Sequence, residues 1–398
     1  MTVSGWRNSL PGRAAGNRPA RIAGTPSLTL AVTPTPRNHA AVTPPEHLEI
    51  RPDAGFRDWL SGAGGALAIS TYQAGMLVLV SWDGEQVRVL ARHFDKPMGL
   101  DGDAQRLVLA TRTDITQFAN AASLAPDYGR RRGSHYDALY LPRITWHTSD
   151  VQAHEIQCAG DALWAVNTRY SCLMRPSAGY SFEPAWSPPF ISDLVPEDRC
   201  HLNGLALDDG VPGYVTALGK SDTAQGWREG RVDGGIVIDV AADEIVARGF
   251  AMPHSPRLYH DRLYVLDSGR GLLCTVDRAT GTVETVAELP GYARGLTFAA
   301  GHALVGLSKI REKHLFGGMP VESRTATLRC GVAVIDPDTG VQRGLLECTR
   351  GATELFDLRF LHGLARPNIL GLDRPEARQA ITEPRSSWWL LPEDDADS

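Results

Sequence analysis

No run in this 398-residue chain approaches the roughly 20 consecutive apolar residues that a membrane-crossing helix needs. The one apolar stretch near the N-terminus, Leu28-Thr-Leu-Ala-Val-Thr, is too short and too polar for a secretion-signal core, and a cytoplasmic location is the expectation. A strong excess of either charge is also missing, with 40 Lys and Arg against 46 Asp and Glu. A formal net charge of -6 provides no electrostatic reason to bind nucleic acid or an anionic membrane. Cysteine is scarce: six residues, none in C-x-x-C spacing, in a chain long enough to build its core without disulfides. Cys172, followed by Leu173 and Met174, reads as a buried apolar thiol, while Cys200, adjacent to His201, has some claim to a site role. The familiar catalytic signatures are absent as well. There is no G-x-S-x-G elbow, Walker loop, H-E-x-x-H helix or dinucleotide fingerprint ahead of a β-α unit.

What the chain has in quantity is turn residues, 40 glycines and 26 prolines, set between short β-type runs. The pattern is clearest at His201-Leu-Asn-Gly-Leu-Ala-Leu and Gly213-Tyr-Val-Thr-Ala-Leu-Gly, two strands joined by a Gly/Asp turn. It recurs at Met98-Gly-Leu, His154-Glu-Ile, His254-Ser-Pro, Arg294-Gly-Leu and Glu354-Leu-Phe, with 40 to 60 residues between successive openings. That is the period of propeller blades carrying loop insertions. Two outer hairpins, Val276-Asp-Arg-Ala-Thr-Gly and Ile335-Asp-Pro-Asp-Thr-Gly, repeat the same turn chemistry. The unit opening at Glu354 lacks three strands, and strands expected between 66 and 90 supply them. The expectation is an all-β six-bladed β-propeller over residues 55–372, closed by N-terminal strands pairing with the C-terminal blade strand.

Residues 1–50, with Pro34, Pro36, Pro44 and Pro45, read as a flexible tail. Residues 373–398 form a second tail in which Trp388-Trp-Leu-Leu offers a docking segment. Phe56-Arg-Asp-Trp-Leu suggests a short helix, and the segment 112–133 another, ending in Arg130-Arg-Arg-Gly, which is read as a solvated loop ahead of a phosphate contact. His362-Gly-Leu-Ala-Arg-Pro-Asn reads as a terminal loop. The proline- and aromatic-rich insertion 176–199 either walls a pocket or seals a loop onto the core.

In a propeller, the start of each blade's first strand lies at the central axis. Met98, His154, His201, His254, Arg294 and Glu354 are therefore expected to converge. Imidazole and carboxylate donors suit a divalent transition metal, and His154, His201, His254 and Glu354 are the expected ligands. Fe is preferred, Cu, Zn and Mn stay open, and Ca fits less well. Arg294 and Glu354 are the candidate catalytic residues, Arg294 as the contact for a substrate carboxylate or phosphate. Asn203 shares the strand face of His201, and Glu155 points away. Two metal-free readings stand beside this: a polar ligand site, and histidines hydrogen-bonded to one another, to backbone and to water. A second polar line, Asn167-Thr-Arg, Thr216, Lys220, Asp267-Ser-Gly and Ser308-Lys, is assigned to the channel's opposite end or to hairpin caps. His135, His260, His302, His314 and His362 fall outside the rim register.

Asn167-Thr-Arg-Tyr-Ser-Cys-Leu, Pro196-Glu-Asp-Arg-Cys-His-Leu-Asn-Gly-Leu-Ala, Tyr214-Val-Thr-Ala-Leu-Gly and Met252-Pro-His-Ser-Pro-Arg resemble a conserved bacterial family with no established function. So do Arg294-Gly-Leu, Gly306-Leu-Ser-Lys-Ile-Arg and Glu354-Leu-Phe-Asp, and the likeness covers roughly residues 60–372. More distantly the architecture resembles six-bladed propellers of the gluconolactonase and strictosidine-synthase type. The lactonases of that group hold calcium with acidic and asparagine residues, and three histidines at the rim do not match that set. The rim resembles more closely the iron site of carotenoid-cleaving propellers, which have seven blades and four histidines. The expected function is a metal-dependent enzyme acting on a small molecule or peptide terminus with an anionic group, oxidation or oxygenation being preferred over metal-dependent hydrolysis. The alternative is a metal-free ligand-binding or protein-interaction propeller.

Overall fold

A computed structural model describes residues 48–309 and 317–390. Six sheets carry the blades, each with four antiparallel strands running from the axis outwards, and in five of them the four are consecutive in the chain. Blade 2 opens with Leu100–Gly102, blade 3 with Ala153–Ala159 and blade 4 with Leu202–Asp208. Blade 5 opens with Pro253–Tyr259 and blade 6 with Tyr292–Ala299. Blade 1 is composite. Its innermost strand is the C-terminal Asp357–His362, paired antiparallel with Gly65–Thr71 from Gly65↔His362 to Ser70↔Asp357, followed by Met76–Trp82 and Val87–His93. The expected closure is therefore present, and it joins residues almost three hundred positions apart in one sheet.

Strand composition follows position in the blade. The second strand of blade 1, Gly-Ala-Leu-Ala-Ile-Ser-Thr, lies between neighbouring strands and neighbouring blades, and all seven residues are buried. In the outer strand Val87–His93 no residue is fully buried. Between blades 1 and 6, Leu67, Ile69, Val78 and Val80 pack against Leu304, Val332, Val334 and Leu346. The helix Ala54–Gly62, capped by Asp53 accepting from the Phe56 N–H at 2.7 Å, lays Phe56, Trp59 and Leu60 over the same seam.

Both ends of the described chain cover sheet edges. Glu49–Pro52 adds a fifth strand to the outside of blade 6. The segment expected as a terminal loop after His362 instead carries Pro367–Ile369, which runs parallel to Ala138–Tyr140 on the outside of blade 2. Edge pairing, invisible to a pattern of turns, explains that difference. Beyond it a hairpin of Ala380–Thr382 and Ser387–Trp389 stacks Trp389 on Tyr128, ring centroids 5.8 Å apart. Tyr128 belongs to the helix Ala125–Arg131. The arginine run there is engaged by the protein: Arg130 pairs with Asp127, Arg132 with Glu376, and Arg131 lies 5.3 Å over the Trp389 ring. The expected N-terminal tail, apart from residues 48–50, lies outside the described residues, as do 391–398 and His314.

Candidate functional site

One cavity of about 350 Å³ is lined by residues of all six blades, and every residue of the expected rim set borders it. Its walls include Phe356 of blade 1, Met98 of blade 2, His154 of blade 3, His201 of blade 4, His254 of blade 5 and Arg294 of blade 6, with Glu354 beside Phe356. A larger hollow of about 590 Å³ lies against blade 6's outer strands, but Arg324 and Arg329 there are paired with Glu288 and Glu347 at 2.9 and 2.7 Å. The axial cavity holds the chemically distinctive groups.

The blade equivalence is less regular than the spacing implies. Ala153 and Pro253 are the first residues paired across to the second strands, opposite Asn167 and Asp267, and His154 and His254 follow them. In blade 4 the first paired residue is Leu202, so Asn203 takes the register of the other two histidines. His201 reaches the cavity from before the strand, with a left-handed φ of 51°. Asn203 is buried and its Oδ1 accepts from Thr216 at 2.7 Å.

His154 and His254 are held in the same way. The Nδ1–H of His154 donates to the Gln152 carbonyl (3.1 Å) and lies 2.8 Å from the Thr168 hydroxyl. That of His254 donates to the Met252 carbonyl (2.9 Å) and lies 3.0 Å from the Ser268 hydroxyl. A carbonyl can only accept, so Nδ1 carries the proton and Nε2 keeps its lone pair. Gln152 and Met252 have φ of 55° and 56°, which turns each carbonyl back towards its ring. Burial lowers the pKa of both histidines well below the ordinary value, and the charge of Arg294 lowers it further. Both imidazoles are neutral at pH 7.

The hydroxyls serve a second purpose. Thr168 donates to the Leu202 carbonyl, Ser268 to Ala293, Ser308 to Leu355 and Ser70 to Met98, each from a second strand or its end to the next blade. Ser268, Ser308 and Lys309 border the same cavity as the histidines. Ser268, Ser308 and Lys309 of the second polar line thus lie at the rim's own end of the channel, and Thr168, Ser268 and Ser308 tie blade to blade.

His201 differs. Its Nδ1 lies 2.9 and 3.1 Å from the two Asp198 carboxylate oxygens, and Asp198 also accepts the Trp227 Nε1–H at 3.1 Å. Trp227 is buried against the His201 ring, centroids 4.6 Å apart. Asp198 closes the 176–199 insertion, whose Trp186, Phe190 and Ile191 pack on blade 4 instead of walling the cavity. Cys200 is fully buried, and burial pushes its thiol up to about 12, which removes it as a site nucleophile.

The metal expectation is overturned. Among the described residues no group of three or more His, Cys, Asp or Glu side chains is arranged to hold a metal ion. His154, His201, His254 and Glu354 are therefore not a ligand set for Fe, Cu, Zn, Mn or Ca. The physical reason lies in the neighbours: His154 and His201 meet edge to face, 83° apart at 5.0 Å between centroids, and the Arg294 charge already acts on His154 and His254. A dication beside that guanidinium would meet direct repulsion.

Beneath the rim, polar residues on the inner strands form a buried ionic cluster. Arg257 contacts Glu155 and lies 3.7 Å from Asp357, while Arg359 contacts Asp101 at 2.6 Å and lies 3.8 Å from Glu155. The Asp357 carboxylate accepts the Leu100 N–H at 3.0 Å. Burial, reinforced by Asp357, raises Glu155 to about 7 against the opposing arginines. Glu155 does point away from the cavity, as expected, but into this cluster, which draws on blades 1, 2, 3 and 5.

A family model described as "Domain of unknown function (DUF4915)" matches residues 54–370, the described ring almost end to end. The chain belongs to this family. DUF4915 is an uncharacterised bacterial domain family, and the six-bladed propeller is its architecture in this member. No curated protein matches. A chain of the nidogen/laminin complex is similar in structure, with a TM-score of 0.48 and 10% identity, over 75% of this chain and 99% of that one. A protein of unknown function from Bacteroides caccae has a TM-score of 0.46 and 7% identity, again over 75% and 99%. Likenesses of this size bear on neither ligand nor chemistry.

Proposed function

We propose that the axial cavity of this DUF4915 domain is a metal-free binding site for a small molecule or peptide terminus that carries an anionic group. The observation that carries the reading is the setting of Arg294: a permanent cation at the cavity wall, beside two imidazoles that burial keeps neutral. A guanidinium presents several N–H donors in one plane and suits a carboxylate or phosphate. Its Cζ lies 3.4 Å from the Phe356 ring centroid, so the aromatic face orients the group without cancelling its charge. Lys309 adds a second cationic residue to the wall. His154 and His254 present Nε2 lone pairs, which accept from hydroxyl or amide donors on the same ligand. Met98, Met252, Leu218 and Phe356 supply the apolar surface that a small organic ligand covers.

A thermal-shift screen tests this with matched pairs: carboxylates or phosphates against their neutral amides or alcohols. Anionic members stabilise the wild-type chain and neutral ones do not. Arg294→Gln weakens the response about 10- to 100-fold in ligand concentration, the value of a lost charge-assisted hydrogen bond of roughly 1.5–3 kcal/mol. Equal responses to both members of each pair would sink the reading.

A further inference from the structure

Three imidazoles border the cavity, and they are not equivalent. His154 and His254 rest their Nδ1–H groups on carbonyls and hydroxyls, which are neutral. His201 rests on a carboxylate. The arrangement is built at a conformational cost: Asp198 and His201 both adopt left-handed φ, 49° and 51°, which non-glycine residues rarely hold unless their surroundings enforce it. Asp198 is fixed by its N–H donating to the Arg169 carbonyl at 2.9 Å, and by Trp227, whose Nε1–H donates to the carboxylate and whose ring lies against His201. With Nδ1–H directed at Asp198, the lone pair of His201 belongs to Nε2, the nitrogen left for the cavity.

We propose that His201 is the proton acceptor and nucleophile of the cavity, oriented by Asp198, and that the domain performs metal-free acid–base chemistry on its anionic ligand. The proposal rests on the anion-binding reading, because Arg294 holds the ligand. In the step itself His201 Nε2 takes the proton from a ligand hydroxyl or a bound water, the O–H bonding pair stays on oxygen, and the new imidazolium charge is balanced by the Asp198 carboxylate. No oxidant, reductant or metal enters the balance. His201 is the catalytic residue of this scheme and Asp198 a positioning residue. The ligand class is a small carboxylate or phosphate whose reacting hydroxyl lies a few bonds from the anionic group.

Iodoacetate tests both elements on the full-length protein. Its carboxylate seeks Arg294, and attack by His201 Nε2 on its methylene forms the N–C bond and expels iodide. The reaction is followed by peptide mass spectrometry beside the neutral reagent iodoacetamide. The expected result is carboxymethylation of His201 at least about tenfold faster than of the half-buried His302, which lies outside the cavity, and about tenfold faster than by iodoacetamide, a factor worth about 1.4 kcal/mol. Arg294→Gln removes the preference for the anionic reagent and keeps the slower iodoacetamide reaction. Asp198→Asn keeps the acceptor and the packing but not the charge. It slows labelling by both reagents while the ring ¹⁵N shifts of His201 still report the Nδ1–H tautomer, whereas a purely structural Asp198 would leave the rate unchanged. Labelling of His201 no faster than of His302, with carboxylate binding intact, overturns the base assignment alone. Fast but equal labelling by the two reagents supports His201 as nucleophile and contradicts the anion-binding reading alone.

Discussion

At the scale of the residue, the cavity depends on where single protons and hydroxyls are placed. Ser268 shows how tightly these are coupled: its hydroxyl donates to the Ala293 carbonyl of the next blade and lies 3.0 Å from His254 Nδ1. Ser268→Ala leaves a buried carbonyl without that donor, and the expected cost is about 1–3 kcal/mol in urea unfolding. The same substitution weakens carboxylate binding, since Ala293 adjoins Arg294. An unchanged urea midpoint would contradict the role assigned to this hydroxyl. Gly306 imposes a similar limit, because a Cβ there would sit 2.1 Å from the Arg294 carbonyl oxygen. Much of this was legible in the chain. His154, His254 and Arg294 stand at matching strand openings, and a hydroxyl follows each by fourteen residues, at Thr168, Ser268 and Ser308. What spacing could not show was the direction of those hydroxyls, for which both the channel's opposite end and hairpin caps stayed open. Nor could it show the left-handed turn at His201, which puts Asn203 in the register that His201 was expected to hold.

At the scale of the element, the innermost strands alternate between two chemistries. One set of side chains borders the cavity, and the other enters the ionic cluster of Asp101, Glu155, Arg257, Asp357 and Arg359. Phe356-Asp-Leu-Arg-Phe carries the sequence signal, since two charged residues alternate with apolar ones in a strand that the closure requires to be central. Glu155 makes the cluster measurable. Burial lifts its carboxyl from 4.5 to about 7, so the folded chain holds a proton that the unfolded chain has already released between those values. The Glu155 contribution to stability is therefore complete below about pH 4.5, falls as pH rises towards 7, and is constant above it. In Glu155→Gln that slope disappears. Denaturant titrations of both proteins between pH 4.5 and 8 check it, and a wild-type stability that rises relative to the variant across this window would contradict the assignment.

At the scale of the whole molecule, the ring is closed by one strand, Asp357–His362, pairing along all of Gly65–Ser70. A chain ending at residue 352 loses that strand and with it Phe356, Asp357 and Arg359. It exposes the edge of the blade 1 sheet and strands two arms of the ionic cluster. The expected outcome is loss of the cooperative thermal transition, read by circular dichroism; a truncated chain with an unaltered transition would contradict closure by this strand. The six-blade architecture was legible from repeated turn chemistry and the missing strands of the last unit. The metal was not legible, because three histidines at one rim satisfy a ligand count without revealing that Arg294 acts on two of them. The cavity is proposed as an anion site that works without metal. Calorimetric titration of chelator-treated protein with the carboxylate that gives the largest thermal shift tests it most directly. The expected result is one site per chain, an affinity unchanged by chelation, and at least about tenfold weaker binding in Arg294→Gln. Affinity that vanishes on chelation, or survives the loss of Arg294, would contradict it.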